Sequence, residues 1–334
     1  MTLTEPLFLL IAIVLAAALS GSVTWAIRPL LQRYALARPN ARSSHRIPTP
    51  QGAGIAVIAA TLLAAGVTAG WMGFPIPLEV FGATIAIAIV GMVDDIRPIP
   101  VLPRLLLQAA AVGAIVYGAP DDLAIAPDLP LAAERAIELV VGLWFVNLVN
   151  FMDGLDLMTV AEVVPITGAL VVLAQLGEFH TLPALVAAAL CGAMLGFAPQ
   201  NRPVAKVFLG DVGSLPIGLL LGWCLLQLAW HQHLIAALLL PLYYLTDATV
   251  TLMRRIVRRE RFWAAHRSHF YQRATDNGLS VSQVVAEVFG LNIVLAGLAI
   301  VAAMGSAMIG LASLLLGALA VALVLWHFSR RKSA

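Results

Sequence analysis

The sequence predicts an all-α fold, a polytopic transmembrane helical bundle of about eleven membrane helices in a single domain spanning residues 1–334. Three observations predict it. Hydrophobic residues make up 61% of the chain and charged residues 11%, where an ordinary soluble domain has roughly 25% charged. The apolar residues come in long blocks, and a block of about 20 residues spans a hydrocarbon core roughly 30 Å thick. Inside lipid the backbone must satisfy its own hydrogen bonds, so such blocks form helices; the short alternating segments of a β-barrel do not occur.

The first block covers residues 6–27, and its first cation, Arg28, follows it. With no basic stretch ahead of the block, a retained helix is expected and not a cleaved signal peptide. Further helices are expected at 52–71, 78–93, 103–118, 134–150, 158–177, 182–198, 212–230, 234–253, 282–303 and 307–328. No linker is long enough to separate a soluble domain, and no internal repeat is visible. Two Gly-x-x-x-Gly spacings, Gly66 to Gly70 and Gly218 to Gly222, are weak signals for close helix packing. Cys191 and Cys224 lie in separate apolar blocks and read as small buried hydrophobes, supporting neither a zinc site nor a disulfide framework.

An odd number of spans places the two termini on opposite sides. Loops near 28–51, 94–102, 151–157, 199–211 and 254–281, with the C-terminal tail, then share one side, which holds every Lys and Arg except Arg135. The positive-inside rule makes that side cytoplasmic, with the N-terminus outside and the C-terminus inside. The expected location is the inner (plasma) membrane. Net charge is only +2, so no acidic partner and no nucleic acid is implied; the bilayer is the partner the composition demands.

The acids sort the same way. On the outer side Glu79, Asp121, Asp122, Asp128 and Glu178 are scattered near prolines and read as a solvated face. On the cytoplasmic side Asp94 and Asp95 end the third helix in GMVDDIRPIP, and Asp153 and Asp156 follow the fifth in NLVNFMDGLD. Asp211 opens the eighth in FLGDVGS, at a position suited to an N-cap. Carboxylates at the ends of membrane helices are expensive to bury and are functional candidates. At a helix C-terminus they oppose the macrodipole, so Asp94 and Asp95 need Arg97, Arg104 or a metal nearby. Asn147, Asn150, Asp153 and Asp156 repeat an i, i+3 spacing that keeps them near one face if the helix continues.

Oxygen ligands without His or Cys suit Mg²⁺, with Mn²⁺ as a substitute; Mg²⁺ keeps several waters and binds one or two carboxylates together with substrate phosphates. Arg46, Arg104, Arg202, Lys206, Arg267 and Arg273 are the candidate phosphate partners. The longest cytoplasmic loop opens with RRIVRRERFW, expected as an amphipathic helix on anionic headgroups. HRSHFYQR follows, where His266, Arg267 and His269 suit phosphate hydrogen bonding better than metal ligation. Asp247 lies inside the ninth span and is expected to pair with a Thr or Tyr of a neighbouring helix.

Together, SHRIPTPQGAG (44–54), VDDIRPIPVLPRLLLQ (93–108), NLVNFMDGLD (147–156), FLGDVGS (208–214) and HRSHFYQR (266–273) resemble, in order and on one face, the polyprenyl-phosphate N-acetylhexosamine-1-phosphate transferase family, glycosyltransferase family 4. The HRSH form looks like the bacterial branch that starts O-antigen and other surface glycans (lipopolysaccharide and cell-wall biogenesis) and differs from the three-histidine run of the peptidoglycan branch. Leu157 stands where the family often has glycine, and Ala53 interrupts what is often a run of glycines. The resemblance implies a UDP-N-acetylhexosamine donating its sugar-1-phosphate to polyprenyl (undecaprenyl) phosphate, with release of UMP. It implies Asp94, Asp95 and Asp153 as catalytic, and Asn150 and Asp211 on the metal. It also implies Phe208 as the uracil-stacking aromatic, Asp156 as a nucleoside contact and Arg104 as a cation near the lipid phosphate. His266, Arg267 and His269 form a sugar and phosphate clamp, and His45, Arg46 and Asn147 complete the substrate-binding set. A homodimer is the assembly to test.

An ionised phosphate-monoester acceptor needs little general-base help, so direct in-line attack is favoured over a covalent Asp intermediate. Two other readings compete: a peptidoglycan-branch phospho-MurNAc-pentapeptide transferase, and a transporter or flippase for an anionic substrate. The last should place ionisable groups and broken helices near the midplane.

Overall fold

The computed structural model describes residues 5–37, 48–261 and 266–330. It is helical almost throughout: α1 (Glu5–Tyr34), α2 (Gly54–Trp71), α3 (Leu78–Ile96), α4 (Val101–Gly118), α5 (Leu131–Met152), α6 (Met158–Gln175), α7 (Thr181–Phe197), α8 (Asp211–Trp230), α9 (Leu234–Leu239), α10 (Leu242–Val257), α11 (Phe270–Asp276), α12 (Val281–Met304) and α13 (Ala307–Ser329). A two-residue antiparallel pair, β1 (Leu36–Ala37) and β2 (Thr49–Pro50), follows α1, with Leu36 opposite Pro50.

Among the described residues nine helices are long and apolar enough to cross a membrane, which makes the chain a multi-pass membrane protein. Helix α3 falls outside that set because it carries Glu79 near one end and Asp94 and Asp95 near the other. The expected ninth span, 234–253, is not one helix. It breaks at Leu240 and Pro241 into α9 and α10, since proline lacks the N–H that the next turn requires and its ring crowds the preceding one. The expected amphipathic helix in RRIVRRERFW is also corrected: its first residues finish α10, Arg258–Glu260 turn away from it, and residues 262–265 lie outside those described.

Helices α7 and α8 form the centre. Residues 184–190 of α7 and 212–221 of α8 are almost wholly buried, as expected for helices that are apolar all round. Around them α1 packs on α7 and α2, α3 and α5 on α8, and α12 on α6 and α13. The outer helices turn large apolar side chains outward, among them Trp25, Leu102, Ile137 and Leu315, where lipid would meet them. The lone cation of the opposite side, Arg135, is not a loop charge. It is buried, donates to Glu138 and to the carbonyls of Pro120 and Leu123, and stacks over Trp230.

The closest crossing is between α1 and α7. A Cβ on Gly192 would come within 2.1 Å of the Ile13 carbonyl oxygen, and one on Gly196 within 2.2 Å of that of Ala17. This Gly-x-x-x-Gly pair escaped the sequence reading. Of the two spacings it singled out, Gly218 and Gly222 do pack against Val146 and Phe145 of α5, whereas Gly70 meets nothing within 4 Å. Backbone-to-backbone contact leaves no side chain to give way. Gly196→Leu should therefore cut the folded fraction sharply in size-exclusion profiles of detergent extracts and lower the thermal midpoint, while Gly70→Leu should leave both unchanged.

Candidate active site

The site is built around the first turn of α8. A helix start presents unpaired N–H groups and a partial positive charge. The expected cap, Asp211, is the first helical residue, and Gly210 occupies the cap position at φ 77°. The cap comes instead from another helix. Asp95, near the end of α3, accepts the Asp211 N–H through Oδ1 (2.9 Å) and the Val212 N–H through Oδ2 (3.1 Å), and Gln51 adds a third donor at 2.7 Å. One contact thus answers two problems: a carboxylate at the unfavourable end of α3, and bare amides at the start of α8. The approach is possible because Gly91 of α3 and Gly54 of α2 face the α8 backbone, where a Cβ would lie 2.3 Å from the Asp211 carbonyl oxygen and 2.2 Å from the Gly213 Cα.

Asp94 turns the other way. Its Oδ1 accepts the Ile99 N–H at 2.6 Å and its Oδ2 pairs with Arg104 at 2.6 Å. Arg104 also lies 3.9 Å from Asp211 Oδ2. Asn150 donates to Asp211 Oδ1 and to Ser214 Oγ, both at 2.8 Å. The carboxyls of Asp94 and Asp211 approach to within hydrogen-bonding reach of each other. Two such groups need a proton or a cation between them. Among the described residues no cluster of three or more His, Cys, Asp or Glu could hold a metal on its own. The oxygen set of Asp94, Asp211 and a half-rotated Asn150 amide nonetheless fits an ion that takes few protein ligands and completes its shell with water and phosphate.

Helix α5 stops at Met152, so the expected continuous polar face does not form. Asn147 is buried and bonds Gln108 of α4 at 2.7 Å, Asn150 meets Asp211, and Asp153 and Asp156 leave the helix in the following turn. Asp153 accepts the Thr159 hydroxyl. Burial, then the charges of Asp95 and Asp156, push its carboxyl up from 3.8 to about 6. Asp156 is 3% exposed and accepts the Ala205 N–H at 3.0 Å. It thereby holds the 201–208 loop, as does Asn201, which accepts the Leu157 N–H and donates to the Val207 carbonyl. Leu157 itself has φ 62°, the left-handed region in which glycine is the least strained residue. Phe208 is half-buried; its N–H bonds Pro50 and its carbonyl accepts Gly52 and Ala53, so the 48–54 and 208–214 motifs are hydrogen-bonded into one unit.

The histidine loop packs alongside. His266 and His269 stack with ring centroids 5.0 Å apart. Arg267 pairs with Asp276 at 2.9 Å. Tyr271 donates to the Phe151 carbonyl and lies against Gly154, joining this loop to the Asp153 turn.

The structure therefore brings together Asp94, Asp95, Arg104, Asn150 and Asp211, with Asp153, Asp156 and Phe208 on the adjoining turns and His266, Arg267 and His269 beside them. Asn147 is one turn deeper, and His45 and Arg46 lie outside the described residues. Arg202 and Lys206 are exposed on the 201–208 loop. Sequence reasoning missed Gln51, Thr159 and Ser214, uncharged partners of Asp95, Asp153 and Asn150. Gln51 and Ser214 fall inside the motifs, which was the available signal.

Comparison with known proteins identifies relatives of the chain. The profile of Glycosyl transferase family 4 matches residues 77–229. A phospho-N-acetylmuramoyl-pentapeptide-transferase of Synechococcus sp. (strain JA-3-3Ab) is 32% identical over 315 residues, covering 85% of this chain and 88% of that protein. A decaprenyl-phosphate N-acetylglucosaminephosphotransferase of Mycobacterium tuberculosis is 28% identical over 313 residues, 82% of this chain and 77% of the relative. A probable undecaprenyl-phosphate N-acetylglucosaminyl 1-phosphate transferase of Bacillus subtilis is 26% identical over 299 residues, 84% and 82% of the two chains. With the matched profile running from the start of α3 through nearly all of α8, the helices that carry Asp94, Asp95, Asn150 and Asp211, this chain belongs to glycosyl transferase family 4, the membrane-embedded polyprenyl-phosphate hexosamine-1-phosphate transferases.

Proposed function

We propose that the chain transfers N-acetylhexosamine-1-phosphate from a UDP-sugar to a polyprenyl phosphate such as undecaprenyl phosphate, releasing UMP and starting a lipid-linked surface glycan of the O-antigen kind. The observation that carries the reading is the meeting of Asp94, Asp211, Asn150 and Arg104 at one end of the bundle. Such a site serves a reaction between two anions, one soluble and one lipid-borne. The basic loops around it are the reason to place it on the cytoplasmic side of the inner membrane.

An oxygen of the acceptor phosphate attacks the β-phosphorus of the donor, the bond from that phosphorus to the bridging oxygen breaks, and UMP leaves. Mg²⁺, held by Asp211 and Asn150 with Asp94 beside them, would supply neutralisation of phosphate charge when bound. Arg104 offers a cation to the acceptor phosphate, and Phe208 a face for uracil. Asp95 is committed to the α8 amides and Gln51, so it shapes the site and has no role as nucleophile. Asp156 acts by holding the loop that carries Phe208. Burial raises Asp95 to about 6 as well, but the α8 amides hold it; Asp153, also near 6, is the carboxylate left for proton transfer near neutral pH.

The relatives that act on a muramoyl-pentapeptide donor favour a second reading within the same family. The transporter reading weakens. Helix α9 does break from α10 at Leu240 and Pro241, but the ionisable group beside the break, Glu162, is engaged inside the bundle, where it accepts the Tyr244 N–H and the Asn292 amide.

Purified enzyme in detergent should release UMP from UDP-N-acetylglucosamine or a close analogue only when polyprenyl phosphate and Mg²⁺ are both present, with Mn²⁺ a partial substitute. A panel including UDP-MurNAc-pentapeptide separates the two branches, and turnover of the pentapeptide donor alone would overturn the assignment. Asp211→Ala should lose about a hundred-fold or more in kcat; full activity would remove Asp211 from the metal. Asp153 gives a pH test. The folded protein binds its proton up to about 6, the unfolded chain only to about 3.8, so its destabilising effect grows as pH rises through that window. Asp153→Asn should raise the thermal midpoint at pH 7.5 and leave it nearly unchanged at pH 4, while abolishing the acid limb of the rate profile.

A further inference from the structure

Asp247 is the most completely engaged buried carboxyl in the chain, and nothing in the proposed chemistry uses it. It lies on α10, is fully buried, and every neighbour offers it a hydrogen. Oδ1 accepts the Phe270 N–H at 3.0 Å and the Thr251 hydroxyl at 3.3 Å, and lies 3.2 Å from His269 Nδ1. Oδ2 accepts the Tyr271 N–H at 3.2 Å and the Tyr243 hydroxyl at 3.3 Å. Two of these partners, Tyr243 and Thr251, are on its own helix. The other three are consecutive residues of the histidine loop.

Those three contacts fix different things. The Phe270 and Tyr271 amides are the opening N–H groups of α11, so the carboxyl sets where and in which direction that helix begins. Tyr271 then reaches the Phe151 carbonyl with its hydroxyl, two residues before Asp153. At His269, an oxygen already surrounded by donors can be approached only by a nitrogen that carries hydrogen. The ring therefore donates from Nδ1, which in a neutral imidazole leaves Nε2 as its acceptor, and His266 stacks on that ring.

We propose that Asp247 is a positioning residue of the transferase. From α10 it holds the His266–His269 loop in register with the Asp153 turn and fixes the tautomer of His269, so that the clamp meets the hydroxyl and amide hydrogens of the donor sugar with a defined acceptor. This rests on the reading of the chain as a sugar-phosphate transferase, in which the loop touches the nucleotide sugar. Asp247 itself touches no substrate. A substitution that keeps its size but swaps one oxygen for an amide must set hydrogen against hydrogen, either at Tyr271 or at His269.

The test has a structural arm and a kinetic arm. In enzyme labelled with ¹⁵N-histidine, the signal that disappears in His269→Gln belongs to His269. It should show Nδ1 protonated and Nε2 bare in the wild type. An Nε2-protonated ring would overturn the proposal without any assay of activity. In Asp247→Asn the kcat/KM for the UDP-sugar should fall about ten-fold or more while KM for the lipid acceptor stays within about two-fold, and Asp247→Glu should recover part of the loss. Tyr243→Phe and Thr251→Val remove two donors from the same carboxyl without touching the loop, and both should retain activity within about two-fold. Losses in these controls equal to that of Asp247→Asn would reduce Asp247 to an ordinary packing anchor and sink the idea. If Asp247→Asn does not fold, the wild-type tautomer and the two control variants still decide the matter. The expected tautomer in a protein that transfers no sugar-phosphate would refute the transferase reading and leave the placement of His269 standing.

Discussion

The contact between Asp95 and the first turn of α8 is the constraint on which the site depends. Each partner is costly alone: a carboxylate at the negative end of one helix, and unpaired amides at the positive end of another, both close to a low-dielectric interior. Joined, they offset each other, and the joint fixes the ends of α3 and α8 to within hydrogen-bond tolerance. Asp94 and Asp211 are the chain neighbours of the two halves of that joint, so their separation follows from it. Arg104, ten residues on from Asp94 and bonded to it, is placed by the same geometry.

A second layer of order comes from uncharged groups. Gln51 on Asp95, Thr159 on Asp153, Ser214 on Asn150 and Asn201 on Leu157 each use a short neutral side chain to hold a motif residue. Neutral partners hold a carboxylate without cancelling its charge. The acids stay anionic enough for metal or phosphate chemistry and still keep a single orientation. The left-handed backbone at Leu157 belongs to the same layer. The strain at a position better suited to glycine is stabilised by the Asn201 amide and by packing of the leucine side chain against the core.

Much of this was legible in the sequence because membrane helices are specified by length and apolarity, and both are visible in one dimension. Each expected span has helix at its position, and the acids thought to gather on one face do so. What stayed hidden depended on pairings across the chain. That Asp95, and not Asp211, caps α8 cannot be read from FLGDVGS, because the capping oxygen comes from a residue 116 positions earlier. The i, i+3 series from Asn147 to Asp156 suggested one helical face because spacing carries no stop signal, and only the turn after Met152 divides it. The break at Leu240–Pro241 did carry a signal, the proline, which the hydropathy of the block outweighed. Asp247 was seen as an intramembrane acid paired to a neighbouring helix, but two of its partners are on its own helix and the other three lie in a loop more than twenty residues away.

The crossing of α1 on α7 bears on how the chain is made. Helix α1 is synthesised before α7, and the groove that receives it is formed by glycines near residue 196. At ribosomal rates of 5–20 residues per second, its partner emerges roughly ten to thirty seconds later. During that interval α1 crosses the bilayer with Ser20 and Thr24, fully buried in the finished protein, turned to lipid or to the insertion machinery. Its hold on the membrane must then come from the apolarity of its whole circumference, and the helix has little amphipathic character although one side ends against protein. The helix is thus built to wait for its partner.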